Sequence, residues 1–258
     1  MEAPPPVELR YRIDGPPRVE LRYRIDGPRP DWELSEEPAP ESRPHDLAAD
    51  MLKLLLLAWA ARTGRRLQVG RNLALRWDEA HPKIGVDPDV YVIEPTPEGD
   101  ALSSLRTWEE GHHPPLLAIE VVSASNSTKD YTAAPEKYAA SGTAELWIFD
   151  PLLAGPKALG GPFRIQVWRR EGDAFSRTYA GACPAYSPAT GAWLFAVSEG
   201  TVLRIASDEA GTDWWRTGEE AERAAREAER AAMEAERAAK EEALRRIAEL
   251  EARLAGRG

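Results

Sequence analysis

Two strand carboxylates and a lysine offer the clearest chemistry in this chain. Asp89 follows Pro88 and opens the apolar run Val90–Ile93. Glu120 lies inside the run Leu116–Val122, among Leu117, Ile119, Val121 and Val122, and a lysine follows on the next helix. A carboxylate embedded in an apolar strand loses hydration energy unless a cation compensates it. Two carboxylates on adjacent strands can hold Mg²⁺ through oxygen and leave positions for water and a phosphate. The metal would polarise a phosphodiester and help to generate hydroxide, while a nearby lysine would steady the charge of the transition state. The pair also has a plainer reading, with Glu120 a half-exposed edge residue and Asp89 a strand-start cap.

The surrounding periodicities predict the elements that must position these groups. Leu47, Met51, Leu52, Leu55, Leu56 and Trp59 recur at helical spacing over His45–Thr63, and Gly64 supplies the stop. Strands are expected at Arg66–Val69, Asn72–Trp77, Val90–Ile93 and Leu116–Val122, with residues 94–115 a polar surface connection. Tyr131–Ser141 reads as a short helix closed by Gly142, and Glu145–Phe149 as a strand ended by Asp150-Pro151. From Phe163 the texture is all-β, with antiparallel strands expected at Phe163–Arg169, Ala174–Ala180, Ala192–Val197 and Thr201–Ile205.

The two ends of the chain differ from this body. Val7–Pro16 and Val19–Pro28 both read VELRYRIDGP, with strand periodicity in each copy. Gly15-Pro16-Pro17 is turn chemistry, so a short hairpin is one reading and a recent duplication with one redundant copy is the other. Pro28–Pro44 reads as a linker or extended arm. At the C-terminus, AERAARE, AERAAME and AERAAKE repeat every seven residues. Their alanine stripe continues through Ala243, Ile247, Leu250 and Leu254 if one four-residue stutter is allowed. This predicts one long coiled-coil helix over 219–254 and a homo-oligomer; a single solvated helix held by Glu–Arg pairs is the alternative. The organisation expected is an arm with the tandem repeat at 1–43, a central α/β domain at 44–212 and a coiled-coil helix at 213–258.

Composition narrows the function classes. The net charge is −10, which argues against a broad sequence-independent grip on DNA. Residues 218–258 hold 11 acids and 9 bases, so most of the negative charge belongs to the body. The single cysteine, Cys183, excludes an internal disulfide framework and fits a reducing, cytoplasmic setting. The start lacks signal-peptide character, and the longest apolar run, Leu52–Ala61, is interrupted by Lys53 and too short for a bilayer. No membrane partner is expected. Ser123, Ser125, Asn126, Ser127 and Thr128 form a polar loop after the Glu120 strand that suits helix capping better than phosphate contact. His112-His113 lack further ligands and read as surface histidines, and His45 reads as a capping or packing residue. Asp130 is a helix cap or a neighbour of the site. Trp214-Trp215 are expected to dock the tail helix on the body.

Three segments carry a family resemblance: VDPDVYVIEP (Val86–Pro95), LLAIEVVSASNSTKDY (Leu116–Tyr131) and KYAASGTAELWIFDP (Lys137–Pro151). Together they resemble the Uma-two family of bacterial restriction endonucleases, within the PD-(D/E)XK nuclease superfamily, over about residues 44–205. The resemblance implies an α/β, restriction-endonuclease-like fold, a mixed central sheet flanked by helices. It also implies a Mg²⁺- or Mn²⁺-dependent endonuclease acting on DNA, with Asp89 and Glu120 as metal ligands. Two positions depart from the pattern. The superfamily's Glu-x-Lys would put lysine at Val122, and the family's alternative, four residues before Tyr138, falls on Ala134. Lys137 lies three residues further, about 60° around the helix and one turn along, and is the expected stand-in; Lys129 is the reserve. The competing readings are a nuclease-fold module without activity that binds nucleic acid or protein, and an assembly protein whose tail is the functional part.

Overall fold

The computed structural model describes residues 22–24, 29–34, 42–98, 102–124 and 127–255. Its strands are β1 (Arg22–Arg24), β2 (Gln68–Gly70), β3 (Ala74–Arg76), β4 (Val90–Ile93), β5 (Ser104–Arg106), β6 (Leu117–Val121), β7 (Glu145–Phe149), β8 (Ile165–Glu171), β9 (Ala174–Gly181), β10 (Ala185–Ser187), β11 (Ala192–Val197) and β12 (Val202–Ala206). Its helices are α1 (Arg43–Thr63), α2 (Ser127–Tyr131), α3 (Ala133–Ala140) and α4 (Gly218–Ala255). The chain divides into two units, Met1–Trp215 and Arg216–Gly258.

The first unit is built on a mixed seven-stranded sheet in the order β1-β9-β8-β7-β6-β4-β2. Only β6 and β7 run parallel in it, as the α2–α3 crossover between them requires. Strand alternation sends side chains to two cores. Val90, Val92, Leu117, Ile119, Val121, Trp147 and Phe149 face α1 and the small sheet β10-β11-β12. Tyr91, Ile93, Ala118, Val122, Leu146 and Ile148 face α3, packed with Ala134, Tyr138 and Ala139. Both faces of the central strands are therefore covered, which explains why their sequences are nearly continuous apolar runs. This is the α/β architecture expected, a mixed sheet flanked by helices.

Local chemistry accounts for the element ends. Gly64 closes α1 in the left-handed region at φ 66°, where a side chain would be strained. The helix expected at Tyr131–Ser141 is instead two, broken at Thr132. The ring of Pro135 would clash with the carbonyl of Tyr131 in one continuous helix, so a new helix starts at Ala133. The connection 94–115 contains β5, which pairs in parallel with β3. Three residues in a polar segment with a distant partner leave no local periodicity to read. The four antiparallel strands expected after Phe163 divide between sheets, β8 and β9 in the large one and β11 and β12 in the small one, with β10 added.

The second copy of the N-terminal repeat supplies β1, which pairs antiparallel with β9. The first copy, and the hairpin expected between the two, lie outside the described residues. Trp215 stacks on Trp59 of α1 with ring centroids 5.6 Å apart, and its indole Nε1 donates to Ser207 Oγ.

The second unit is one helix of 38 residues, about 57 Å long. Thr217 and Glu220 form a reciprocal cap: the Glu220 N–H donates to Thr217 Oγ1, and the Thr217 N–H donates to Glu220 Oε2. Glu219–Arg223, Arg230–Glu234 and Arg237–Glu241 pair along its surface. Met233, Leu244, Ile247 and Leu250 are exposed on it. Among the described residues no helix is long and apolar enough to cross a membrane.

Candidate active site

Strands β4 and β6 bring the two carboxylates together. Their antiparallel register ends at Val90↔Ile119, and beyond it the Asp89 carboxylate reaches β6 by accepting the N–H of Val121, the residue next to Glu120. Glu120 follows the parity of Ala118 and Val122 and is the acidic side chain on the face otherwise packed with Tyr138 and Ala134. Both acids are buried, with 8% and 3% of their surface exposed.

Each carboxylate is oriented through one oxygen. Asp89 Oδ2 accepts the Val121 N–H at 2.7 Å and meets His45 Nε2 at 3.0 Å. The Tyr138 hydroxyl donates to Glu120 Oε1 at 2.6 Å. Among the described residues these contacts leave Asp89 Oδ1 and Glu120 Oε2 for a further ligand. Burial pushes the Glu120 carboxyl well above its usual range, and the adjacent Asp89 adds to the shift; Lys129 opposes it, while Asp130 reinforces it. Burial and the Glu120 charge also push the Tyr138 hydroxyl well up, so it acts as a donor.

This environment fits a divalent cation. Two crowded carboxylates, one of them driven toward its neutral form, lack positive charge between them, and a metal would supply it. Among the described residues there is no cluster of three or more His, Cys, Asp or Glu side chains arranged around a metal position. The protein's side-chain donors would therefore be Asp89 Oδ1 and Glu120 Oε2. Carboxylate oxygens are the donors that a hard divalent cation takes.

The two candidate cations have different surroundings. Val122 and Ala134 are packed into the core facing α3. Lys137 is buried, and its ammonium donates to the carbonyls of Gly85 at 3.2 Å and Trp32 at 3.5 Å. Burial lowers its pKa, and Lys129 contributes further to the lowering. Lys137 thus ties residues 29–34 to the 83–85 loop, where the Gly85 N–H also donates to the Trp32 carbonyl and the Leu34 N–H to that of Lys83. Arg29 adds an ion pair to Glu136 on α3. Lys129, on the exposed side of α2, interacts most strongly with Glu120, whose charge raises the lysine pKa. Lys129 is the cation named among the main causes of the Glu120 shift, while Lys137 also interacts with the Glu120 charge.

Several neighbours carried no sequence signal for this arrangement. His45 heads α1 but reaches the Asp89 carboxylate, and Tyr138 served only as a landmark for the missing lysine. His112 is held within its own loop, its Nδ1 lying 3.0 Å from the Arg106 carbonyl. Ser125 and Asn126 lie outside the described residues. Asp130 is buried and its carboxyl is pushed up to about 7, chiefly by burial; Asp89 raises it, while Lys129, His45 and the Ser123 N–H oppose the rise. An unfolded aspartate titrates near 3.9. Asp130 therefore contributes stability that is complete below about pH 4 and is lost as pH rises through about 7. Asp130→Asn should flatten the decline of the metal-free protein's denaturant midpoint between about pH 4 and 7. An unchanged pH profile would contradict this assignment.

No curated protein matches the chain. Among solved structures it is similar to the crystal structure of "a putative nuclease belonging to DUF820 from Anabaena variabilis", with 15% identity and a TM-score of 0.42, over 59% of this chain and 76% of that one. The family model Uma2, described as "Putative restriction endonuclease", matches residues 18–179. That range holds β1, α1 and strands β2 to β8, and with them Asp89, Glu120 and both lysines, and it spans more than half of the 258 residues; the chain belongs to the Uma2 restriction-endonuclease family.

Proposed function

We propose that this chain is a Mg²⁺-dependent (or Mn²⁺-dependent) endonuclease that hydrolyses DNA phosphodiester bonds. What supports the reading is the buried carboxylates Asp89 and Glu120, close enough for the Asp89 charge to raise the Glu120 pKa, each oriented through one oxygen and, among the described residues, with the other left for a ligand. When bound, the metal would polarise the phosphodiester and lower the pKa of a water molecule. The residues of the chain do the rest. His45 and the Val121 N–H hold Asp89 in place, and Tyr138 fixes the rotamer of Glu120. Lys129, exposed and close to Glu120 in charge terms, offers a cation to the phosphate as negative charge develops on its oxygens. Incubation of supercoiled DNA with the full chain should give nicked and linear products in Mg²⁺ or Mn²⁺ and none in EDTA. Uncut DNA under all metal conditions would overturn the reading.

One observation favours a second reading. Val122 and Ala134 leave both familiar lysine positions apolar, and Lys137 is occupied by backbone carbonyls. If Lys129 supplies no rate, the chain is a nuclease-fold module that binds nucleic acid or protein without cutting it.

The tail makes a separate contribution, a homo-oligomer formed through α4. Its exposed Met233, Leu244, Ile247 and Leu250 and its heptad alanines are unfavourable in water and suit a partner helix. Light scattering should give a dimer or larger for the full chain and a monomer for a chain ending at residue 216. A monomer in both cases would remove this part of the proposal.

A further inference from the structure

The two identical decapeptides near the N-terminus are a sequence feature that the candidate active site does not use. Val7–Pro16 and Val19–Pro28 match at all ten positions. Arg22-Tyr23-Arg24, from the second copy, pairs with β9 in the register Arg22↔Ser176, Tyr23↔Phe175 and Arg24↔Ala174. The other edge of β9 is held by β8, so β1 covers backbone groups that would otherwise form a bare sheet edge. The family match begins at residue 18, taking in the second copy and leaving out the first.

We infer that the edge of β9 covered by β1 is a strand-docking surface with two occupants on the same chain, and that Arg10-Tyr11-Arg12 replaces Arg22-Tyr23-Arg24 there in a minority of molecules. Strand pairing depends on the backbone ladder and on which side chain points to which face. A slip of one residue would turn every side chain to the wrong face. Exchange between identical copies leaves each residue type where it was, so the docked segments make equal contacts. The connection to the next anchored segment is what differs. That segment starts at Arg29, held on α3 by Glu136. Docking the second copy leaves residues 25–28 as the connection, whereas docking the first leaves residues 13–28, four times as many. Loop-closure cost grows as the three-halves power of length, so the longer connection is disfavoured about eightfold. The first copy then occupies the edge in about one molecule in nine. This exchange is independent of the nuclease reading.

Adjacent prolines remove a ladder donor whichever residue of the pair faces β9. Arg22→Pro/Tyr23→Pro should therefore leave a folded protein whose unfolding equilibrium constant rises only about ninefold, because the first copy takes over. Arg10→Pro/Tyr11→Pro should be almost silent. The four-proline variant should lose far more than the two effects combined. A four-proline variant no worse than Arg22→Pro/Tyr23→Pro, or failure of the latter to fold, would overturn the inference. The register supplies a direct trap. In the Arg22→Pro/Tyr23→Pro, Cys183→Ser background, Arg12→Cys with Ala174→Cys should form a disulfide within one chain. With native copies, Arg24→Cys with Ala174→Cys should do the same. No disulfide at residue 12, or one that joins two chains, would equally overturn it.

Discussion

Glu120→Gln should abolish metal-dependent cleavage while leaving the metal-free protein at least as stable as the wild type. The two outcomes share one cause. Glu120 is buried, and burial together with the nearby Asp89 charge pushes its carboxyl toward the neutral form. Glutamine keeps a carbonyl oxygen to accept from Tyr138 and removes the charge that burial opposes. The same change removes one of the two side-chain oxygens offered to a metal. A loss on the order of a hundredfold or more in rate is expected, together with loss of metal affinity. Denaturant unfolding and single-turnover cleavage, measured on the same sample, check both halves. Cleavage within a few-fold of wild type would remove Glu120 from the site.

The second large effect separates the two lysines. Lys129→Ala should lower the cleavage rate on the order of a hundredfold with metal binding retained, since it removes a cation from the transition state and not a ligand. Lys129→Arg should restore part of the rate. Lys137→Ala should instead leave the rate within a few-fold of wild type and lower stability by about 1–3 kcal/mol, because the carbonyls of Trp32 and Gly85 lose a shared donor. The reverse pattern, with rate lost at Lys137 and kept at Lys129, would return the cation to the position that sequence spacing suggests.

Those two lysines also show where sequence reading stops. Val90–Ile93 and Glu145–Phe149 are legible to the residue, because short continuous apolar runs bounded by turn residues mark strands covered on both faces. The β4–β6 pairing, which brings the Asp89 carboxylate to the Val121 N–H beside Glu120, is not contained in the sequence of either of those two strands. The family motifs mark both residues, but a long-range pairing sets their distance. Linear spacing placed Lys137 nearest to the missing lysine. It could not show that Trp32, more than a hundred positions away, would claim that ammonium. The consequence of Pro135 depends on the break at Thr132, which puts Lys129 on a separate helix, where its charge acts on Glu120. β5 escaped detection for a related reason: its partner β3 lies some thirty residues away, and nothing within Ser104–Arg106 announces a strand.

The claim that Asp89 and Glu120 form one metal site is tested most directly by Mn²⁺ binding, followed through the paramagnetic resonance of the free ion. The full chain should bind Mn²⁺ in competition with Mg²⁺, and Asp89→Asn and Glu120→Gln should each weaken that binding severely, while Lys129→Ala leaves it unchanged. Wild-type affinity in both carboxylate variants, or no binding by the wild type, would contradict the account.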